Sequence, residues 1–536
     1  MYHFKIADTR DELSQIHTLN HQVFCEEIGQ YETNKNGLKI DRFHKSNTYL
    51  IALLQDKVIA MVSINFKRPF SLDAKLPGLD HYLPAHRNCA EVRLLVVKPE
   101  HRRTRVVPGL LDYCRDFCLI NEIDLLLISG ILQQQPIYKR LGFKPFAYKV
   151  GKDGVVFQPM LMKIDTETRA TEVKGFTTTE KNFLPGPVPI AAETRRMLSL
   201  APVPHRSPSF KTAFGLLRNK LCQLTRARGV HVFAGGGTLA NDMVAAQLST
   251  LAGRGLILSN GEFGKRLIDH ADRQGLAFEA MNFGWGQPFN YKAIGRYLKQ
   301  VKPEYIWFTH CETSTGILND LELLTHLANK TDTKVCVDCV STIGAISLDL
   351  SQVYLASASS GKALSAVAGL GMVFGNHFDK LAPNPFISRS LDLALYEQTE
   401  GVAFTITSTL VFCLLHSLSH RDWLQRYESI QTNMRRLLDY LQEHSIAALA
   451  DQPGLCAPIV SIPLPEWLPS VVVGNYLKQV GIDIHYHSRY LKAHNIVQIA
   501  CMGDYQCDDL LKVARLIKNA VDLRLNKLQP RLASVV

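Results

Sequence analysis

The sequence predicts an α/β protein in which two groups of domains are joined by a polar linker. Downstream, the apolar runs GLILSN, EYIWFTH, KVCVDCV and GLGMVFG are separated by segments of helix length, a pattern typical of a parallel sheet with helical crossovers. Upstream, the runs YLIALL, VRLLVV and IDLLLISGIL alternate with amphipathic segments. The stretch KIDTETRATEVKGFTTTEKN between the two groups is almost free of large apolar residues, which indicates a linker.

Composition limits the classes of partner and compartment. The 536 residues include 60 Lys and Arg against 49 Asp and Glu, a formal net charge of +11, which favours anionic partners such as phosphorylated cofactors and acyl carriers. No block of like charges suggests a nucleic-acid arm, and no apolar run approaches the ~18 residues that a membrane span needs. The start MYHFKIADTRDE lacks the layout of a signal peptide. We therefore expect a cytoplasmic chain with no nucleic-acid partner.

The twelve cysteines are scattered through apolar segments, so reduced core thiols are the best account of them. Cys336 and Cys339 form a lone C-x-x-C. Without a second pair or a nearby His cluster it is a weak zinc signal, and a buried β-strand explains it better. We predict no metal site.

A lysine among small residues is the most informative position downstream. Lys362 lies in ASASSGKALSAVAGLGMVF, and Asp338 follows the β-branched run of a probable buried strand. An acid at the carboxyl end of such a strand faces the ligand crevice of an open α/β sheet. The segment FAGGGTLANDMVAAQL reads as a strand end, a glycine turn and a helix start, whose free N–H groups can hold a phosphate. Together these features supply an amine, an acid and an anion cradle, which are the requirements of pyridoxal phosphate.

Seven motifs in order extend this interpretation to a family. They are LPGPVPI, HRSPSF, GGGTLAN, NGEFGKR, HCETSTGILND, VDCVSTIGA and SSGKALSAVAGLG. From about Phe183 onward the chain resembles the class V, fold-type I aminotransferases, and among them the 2-aminoethylphosphonate–pyruvate and alanine–glyoxylate transaminases. The resemblance implies a PLP-binding large α/β domain over 183–402 and a small C-terminal α+β domain over 403–536. It also implies a pyridoxal 5'-phosphate cofactor, a small-molecule amino donor, a carbonyl acceptor and a homodimer.

The same resemblance implies roles for individual residues. Lys362 would form the Schiff base with the cofactor and move the substrate proton, and Asp338 would keep the ring nitrogen protonated. The other positions that match cofactor-binding residues of the family are Gly236, Gly237 and Thr238 for the phosphate, Phe263 for stacking on the ring, Thr313 near the ring oxygen or Asp338, and Thr405 for the phosphate site of the neighbouring subunit. Phe263 could equally be a core aromatic residue.

The substrate end of the site departs from the family. Transaminases of this class carry an arginine that clamps the substrate carboxylate in a stretch like R-I-G-x-M-G, whereas this chain reads QIACMG with Gln498 at that place. A neutral amide supplies no charge for the carboxylate. Either the substrate is unusual or a nearby cation such as Arg206 or Arg489 takes over. The residue before the lysine, often an amide that contacts phosphate, is Gly361.

The N-terminal 1–164 resemble the GNAT acyltransferases. HRNCAEVRLLVVKPEHRRTRVVPGLLDYCRDFC gives a strand, a basic turn and a helix, and QQPIYKRLGFKPF closes the unit. HQVFCEEIGQYE, IDRFH and AEVRLLVV resemble the branch that holds autoinducer synthases and N-acyl amino acid synthases. The resemblance implies acyl-CoA or acyl-carrier protein as acyl donor, with a linker over 165–182 joining this α+β domain to the rest.

The residues implied for the acyl donor each have a second interpretation. Arg102, Arg103 and Arg105 would attract a diphosphate, but the usual R-x-x-G-x-G/A turn is lost, and β-branched valines crowd the close approach that glycines allow. The alternative is a solvated basic turn on a domain without chemistry. Tyr138 is either a general acid or a core aromatic residue, and Glu91 and Arg93 either orient an amine or form an ion pair at a strand edge.

These observations predict one enzyme that makes an amine by transamination and N-acylates it. Two alternatives stay open. The first is a PLP-dependent lyase, as in the desulfurase branch, which the HCETSTGILN match and the lack of a recognisable cysteine loop disfavour. The second is a transaminase whose N-terminal domain docks an acyl carrier without catalysis, which the altered phosphate turn favours.

Overall fold

The computed structural model describes residues 2–102, 104–152, 155–164, 181–450 and 457–524. It divides into two compact units. The first holds the described residues up to Ile164 together with Glu466–Val480 and the described residues from Leu516 onward, and the second holds the remainder up to Arg515. Most of the predicted linker, 165–180, lies outside the described residues. The predicted limits 1–164, 183–402 and 403–536 stay a prediction, and two segments of the last range group with the first unit.

The strands are β1 His3–Ile6, β2 Asn47–Leu54, β3 Lys57–Asn65, β4 Cys89–Val97, β5 Leu125–Ile131, β6 Lys144–Pro145, β7 Val150–Lys152, β8 Val155–Lys163, β9 Lys181–Asn182, β10 Gly229–Ala234, β11 Gly255–Ser259, β12 Phe278–Asn282, β13 Tyr305–Thr309, β14 Cys311–Glu312, β15 Ile317–Leu318, β16 Lys334–Asp338, β17 Leu355–Ser359, β18 Leu370–Gly375, β19 Ile459–Pro463, β20 Ile482–Asp483 and β21 Ile496–Ala500.

The α-helices are α1 Arg10–His21, α2 Ser71–Lys75, α3 Val106–Ile120, α4 Gln135–Arg140, α5 Ala192–Arg196, α6 Pro208–Thr225, α7 Gly237–Leu248, α8 Glu262–Arg273, α9 Tyr291–Val301, α10 Leu321–Asn329, α11 Leu393–Gln398, α12 Ser408–Ser419, α13 Trp423–Glu443, α14 Ser470–Gln479, α15 Arg489–Ala493 and α16 Cys507–Leu523. Within the described ranges, no helix combines the length and the apolar character that crossing a membrane requires.

The first unit is built on one twisted sheet with the order β1-β2-β3-β4-β5-β8-β6, in which β7 pairs with β8. Its neighbours are antiparallel except β4 and β5, which run parallel and pair only over Cys89–Glu91 and Leu125–Leu127. Both strands continue beyond that pairing, so they diverge at their carboxyl ends. Helix α14 packs in this unit, where the Tyr476 hydroxyl donates to Asp116 at 3.1 Å.

The second unit is built on a seven-stranded sheet with the order β10-β18-β17-β16-β13-β11-β12. β17, β16, β13, β11 and β12 are parallel to one another, and β18 is antiparallel to both of its neighbours. Helical crossovers and buried Val, Ile, Leu and Phe side chains cover the sheet. The predicted α/β fold with a mostly parallel sheet is therefore confirmed. Because parallel strands end at the same edge, their carboxyl ends gather polar residues in one place.

Candidate active site

Asp338 ends β16 and forms the centre of the second unit's polar edge. The side chain is 9% exposed. One carboxylate oxygen accepts from the backbone N–H of Val340 at 2.9 Å, and the other accepts from the amide of Asn241 at 2.9 Å. Burial raises the pKa of Asp338, and these two donors act in the opposite direction.

Asn241 is held in turn by a hydroxyl. Ser357 lies opposite Asp338 in the parallel pairing of β16 with β17, and its Oγ donates to Asn241 Oδ1 at 2.6 Å. This contact orients the amide so that its nitrogen faces Asp338. The carboxylate is therefore fixed by two neighbouring elements, α7 and β17.

Lys362 lies in the loop after β17 and is partly buried. Burial lowers the pKa of its amine, whereas the charge of Asp338 raises it. The chain around Gly186 passes close to this lysine, since a Cβ placed on Gly186 would lie 3.1 Å from Lys362 Nζ. Gly186 also has a φ of +159°, so the absence of a side chain there keeps the space beside the amine free.

The turn into α7 has the properties of an anion cradle. Gly236 is the N-cap of this twelve-residue helix, and no side chain caps it. The first-turn N–H groups and the positive end of the helix dipole are therefore directed at the site. Gly237 has a steric reason to be glycine, because a Cβ there would lie 2.7 Å from Val340, two residues past Asp338. Thr238 is exposed at the same turn.

Phe263 is positioned by a buried carboxylate. Glu312 is fully buried and accepts from the N–H of Phe263 at 3.1 Å and of Gly264 at 2.8 Å. These contacts bind the start of α8 to the segment after β14. Phe263 itself is half-buried, and the guanidinium of Arg266 lies 4.7 Å from the centre of its ring.

Gln498 lies beside Thr313, as the family pattern suggests, but its amide is occupied. The side chain is 0% exposed, and its nitrogen donates to the carbonyl oxygens of Thr313 at 2.6 Å and Ser314 at 3.2 Å. It also donates to Ser461 Oγ at 2.8 Å, and its oxygen pairs with His485 Nδ1 at 2.8 Å. Gln498 therefore offers no free donor to a substrate in this structure.

In the first unit the basic turn is partly engaged already. Both terminal nitrogens of Arg102 bind the carboxylate of Glu27, and its Nε donates to the carbonyl of Val97 at 3.0 Å. Arg105 is exposed at the start of α3. Arg103 lies outside the described residues. Contact between Arg102 and a phosphate requires the pair with Glu27 to open.

Tyr138 packs against β5 at a glycine. A Cβ on Gly130 would lie 2.8 Å from two ring carbons of Tyr138, so the missing side chain makes room for the ring. Burial raises the pKa of Tyr138, which keeps its hydroxyl protonated. Glu91 is 1% exposed and lies 3.7 Å from Arg93 Nη1.

Comparison with known proteins bears on this geometry. The family model "Aminotransferase class-V" matches residues 199–403, and the model "N-acyl amino acid synthase FeeM" matches residues 15–165. The chain joins a class V aminotransferase domain to an N-acyl amino acid synthase domain. Its cofactor is pyridoxal 5'-phosphate, as in the PLP-dependent members of this class. The resemblance read from the motifs is thereby confirmed for both parts.

Curated relatives agree with the aminotransferase domain. The 2-aminoethylphosphonate–pyruvate transaminase of Bacillus mycoides is 27% identical over 302 residues, covering 54% of this chain and 82% of the relative. The enzyme of the same name from Pseudomonas fluorescens strain Pf0-1 is 30% identical over 224 residues, covering 40% and 59%. A soluble hydrogenase small subunit from Synechococcus is 29% identical over 197 residues, covering 36% and 51%.

Solved structures share the fold of this domain. An aspartate aminotransferase of subgroup IV from Thermus thermophilus is similar with a TM-score of 0.58 at 24% identity, covering 64% of this chain and 99% of that chain. The ureidoglycine–glyoxylate aminotransferase of Bacillus subtilis has a TM-score of 0.59 at 23% identity, covering 65% and 94%. At these identities the likeness concerns the fold alone.

The residues of the aminotransferase domain fit its cofactor. A partly buried amine, a buried acid and an uncapped helix start meet at one sheet edge. Asp338 has a free path to its role because both of its printed donors leave lone pairs on each oxygen. Thr405, Arg206 and Arg489 are exposed, and their roles toward the cofactor or substrate stay predictions.

Sequence reasoning missed several residues of this site. Asn241, Glu312 and Arg426 hold Asp338, Phe263 and the loop of Lys362 respectively. Asn241 and Glu312 lie inside the motifs GGGTLAND and HCETSTG, where a polar residue on the site-facing side of a turn was a usable signal. Arg426 lies in an ordinary amphipathic helix, and no local pattern marks it.

Proposed function

We propose that the aminotransferase domain moves an amino group between an amino donor and a keto acid or aldehyde, and that the N-terminal domain N-acylates the amine product from an acyl thioester. The observation that carries the first half is the pair Lys362 and Asp338, whose charges act on each other's pKa at the carboxyl edge of the sheet. The free thiols of the described residues agree with a reducing compartment such as the cytoplasm.

In this proposal each group has one task. Lys362 binds the cofactor and moves the proton at the substrate carbon, because burial favours its neutral amine. Asp338, held ionised by Asn241 and Val340, keeps a proton on the ring nitrogen. The N–H groups of the first turn of α7 hold the phosphate. When bound, pyridoxal phosphate supplies the electron-poor ring that stabilises negative charge at that carbon.

The dimer completes the site in this proposal. Thr405 is exposed in the segment between α11 and α12, where a second copy of the chain can use it against a phosphate. A homodimer would thus pair two active sites, each finished by the other chain.

Acyl transfer in the N-terminal domain needs a base-free amine and an acid for the leaving group. The amine nitrogen bonds to the thioester carbon, the carbon–sulfur bond breaks, and the thiolate takes a proton from Tyr138, while the nitrogen loses its proton to solvent. The raised pKa of Tyr138 suits a proton donor. Arg105, with Arg102 and Arg103, is proposed to hold the diphosphate of CoA or the phosphate of a carrier's pantetheine arm.

The test uses the full chain. Borohydride reduction followed by peptide mass spectrometry should link the cofactor to Lys362, and the link should disappear in Lys362→Ala but not in Lys265→Ala, a change at an exposed lysine of α8. Products are then followed by mass spectrometry with a panel of amino donors, keto acids, aldehydes and acyl-CoAs. A cofactor adduct on another lysine in Lys362→Ala would remove the assignment.

A further inference from the structure

A row of buried polar residues crosses three strands of the first unit's sheet. Asn47 of β2 is paired with Asn65 of β3, and Asn65 is paired with Glu91 of β4. Residues paired in this way carry their side chains on the same face. The three are 3%, 0% and 1% exposed. Buried polar groups are costly unless each has a partner, so the partners of this row are informative.

Glu91 is satisfied by the chain itself. It accepts from the N–H of Ser71 at 2.7 Å, from the hydroxyl of Ser71 at 2.6 Å and from the N–H of Leu72 at 3.1 Å. The carboxylate is therefore fixed in place and retains its negative charge beside the row.

Asp41 ties the other end of the row to an arginine. Asn47 donates to one oxygen of Asp41 at 2.7 Å, and Arg93 donates to the other at 2.8 Å. The charges of Asp41 and Arg93 thus balance each other. These contacts leave the opposite ends of both side chains unused.

Three polar atoms of the patch have no partner among the described residues. They are Asn47 Oδ1, Asn65 Nδ2 and Arg93 Nε. The first accepts hydrogen bonds and the other two donate them. A buried polar atom without a partner costs about 1–3 kcal/mol, so three on adjacent strands indicate a ligand that offers both donors and acceptors.

A lysine without a carboxylate lies at the edge of this patch. Lys75 of α2 donates to Ser129 at 2.8 Å, and Ser129 is two residues past Leu127, which is paired with Glu91. No carboxylate of the described residues lies within ion-pair distance of Lys75. Burial lowers its pKa to about 8, with the charges of Glu91, Arg93 and Arg42 also acting on it. A cation here and the carboxylate of Glu91 nearby suit a ligand that carries both charges.

We propose that this patch, formed by Asn47, Asn65, Glu91 and Arg93 with Lys75 at its edge, binds the acyl acceptor, an amine that also carries a carboxylate or phosphonate group. The proposal rests on the proposed acylation function. Tyr138 lies against Gly130, the neighbour of Ser129 in β5, and so on the other face of the sheet. Since β4 and β5 stop pairing after Glu91 and Leu127, the gap between them lets a thioester on one side reach an amine on the other.

The kinetic test uses the holoenzyme with acyl-CoA and three amines: glycine, 2-aminoethylphosphonate and ethanolamine, which lacks an anionic group. Asn65→Asp retains the oxygen that accepts from the N–H of Lys67 and removes the free donor. We expect KM for glycine or 2-aminoethylphosphonate to rise at least about tenfold, with kcat and KM for acyl-CoA unchanged. Ethanolamine should be a poor acceptor for both proteins. Thr48→Val, which removes a buried unpartnered hydroxyl on the opposite face of β2, should leave all constants unchanged.

A binding measurement separates this proposal from the acylation function. In equilibrium dialysis with radiolabelled glycine and, separately, 2-aminoethylphosphonate, the wild-type chain should bind one more equivalent of at least one probe than Asn65→Asp, because the aminotransferase site is the same in both. Loss of that equivalent without any acylated product supports the site and removes the acylation function. Acylated product with equal KM in both proteins overturns the site and leaves the function. Equal binding of both probes also overturns it, with ordered water alone satisfying the patch.

Discussion

Arg426 Nη2 lies 3.0 Å from the carbonyl oxygen of Ala363, the residue that follows Lys362. The same guanidinium donates through Nε to the carbonyl of Gly344 at 2.9 Å and binds Asp504 through Nη1. Arg426 is 7% exposed. One buried side chain of α13 therefore ties together the loop of Lys362, the loop after Asp338 and the loop after β21.

We predict that Arg426→Lys loosens the lysine loop. A lysine keeps the charge but cannot form the planar fork that reaches three loops, so the affinity for pyridoxal phosphate should fall about tenfold. The free energy of unfolding should fall by about 1–3 kcal/mol. Cofactor titration followed by absorbance and urea unfolding measure the two effects. Arg435→Lys, a change at an exposed position of the same helix, should alter neither, and equal cofactor affinity in both variants would contradict the role.

The pH profile of Lys362 should move when Asp338 is neutralised. Burial lowers the pKa of Lys362, and the charge of Asp338 raises it. Removing that charge in Asp338→Asn takes away the raising influence, so the midpoint for reaction of the amine should move to lower pH. Competitive labelling of the cofactor-free protein with acetic anhydride, read at the Lys362 peptide, measures this. The exposed Lys265 is the internal reference, and a midpoint that rises would refute the coupling.

How far the sequence could lead depends on the range of each contact. Lys362 and Asp338 were found because the end of a buried strand and a run of small residues are local patterns. The partners of Arg426 lie 63 and 82 residues away in the chain, beyond any periodicity that a sequence displays. The three arginines at the basic turn were visible, but Glu27, which binds Arg102 from 75 residues earlier, was not. Register produced the remaining surprise, since the row from Asn47 to Glu91 exists only once three strands are aligned.

Gln498 should be a stabilising residue whatever its part in specificity. Its nitrogen serves two carbonyl groups and a hydroxyl in a fully buried place. Gln498→Leu leaves the carbonyls of Thr313 and Ser314 without this donor, so the free energy of unfolding should fall by about 1–3 kcal/mol. Urea unfolding of the holoenzyme gives the value. Gln442→Leu, at an exposed site of α13, is the control, and equal stability of the two variants would show that the buried amide contributes nothing.

Gly130 should be as important for acyl transfer as the tyrosine that it admits. Gly130→Ala adds a Cβ 2.8 Å from the ring of Tyr138, and the ring must move away from the gap between β4 and β5. We expect kcat for N-acylation to fall as far as in Tyr138→Phe, with the transamination half-reaction unchanged. Gly215→Ala, at a helical site where a Cβ meets nothing within 4 Å, serves as the control. Full acylation by Gly130→Ala would mean that the position of Tyr138 is irrelevant.

The pair between Arg102 and Glu27 should restrain binding of the acyl donor. Arg102 is 39% exposed and Glu27 41%, and an ion pair this exposed stabilises a fold by no more than about 1 kcal/mol. Glu27→Gln therefore should leave thermal stability almost unchanged while freeing the guanidinium for a diphosphate, so CoA should bind more tightly, by about threefold to tenfold. The gain should shrink as salt rises, because exposed charges are screened. Calorimetric titration of the full chain with CoA measures it, and the double variant Glu27→Gln with Arg102→Gln should lose the gain. If Glu27→Gln binds CoA no better than the wild type at low salt, Arg102 is not a ligand of the donor and the basic turn acts through Arg105 or not at all.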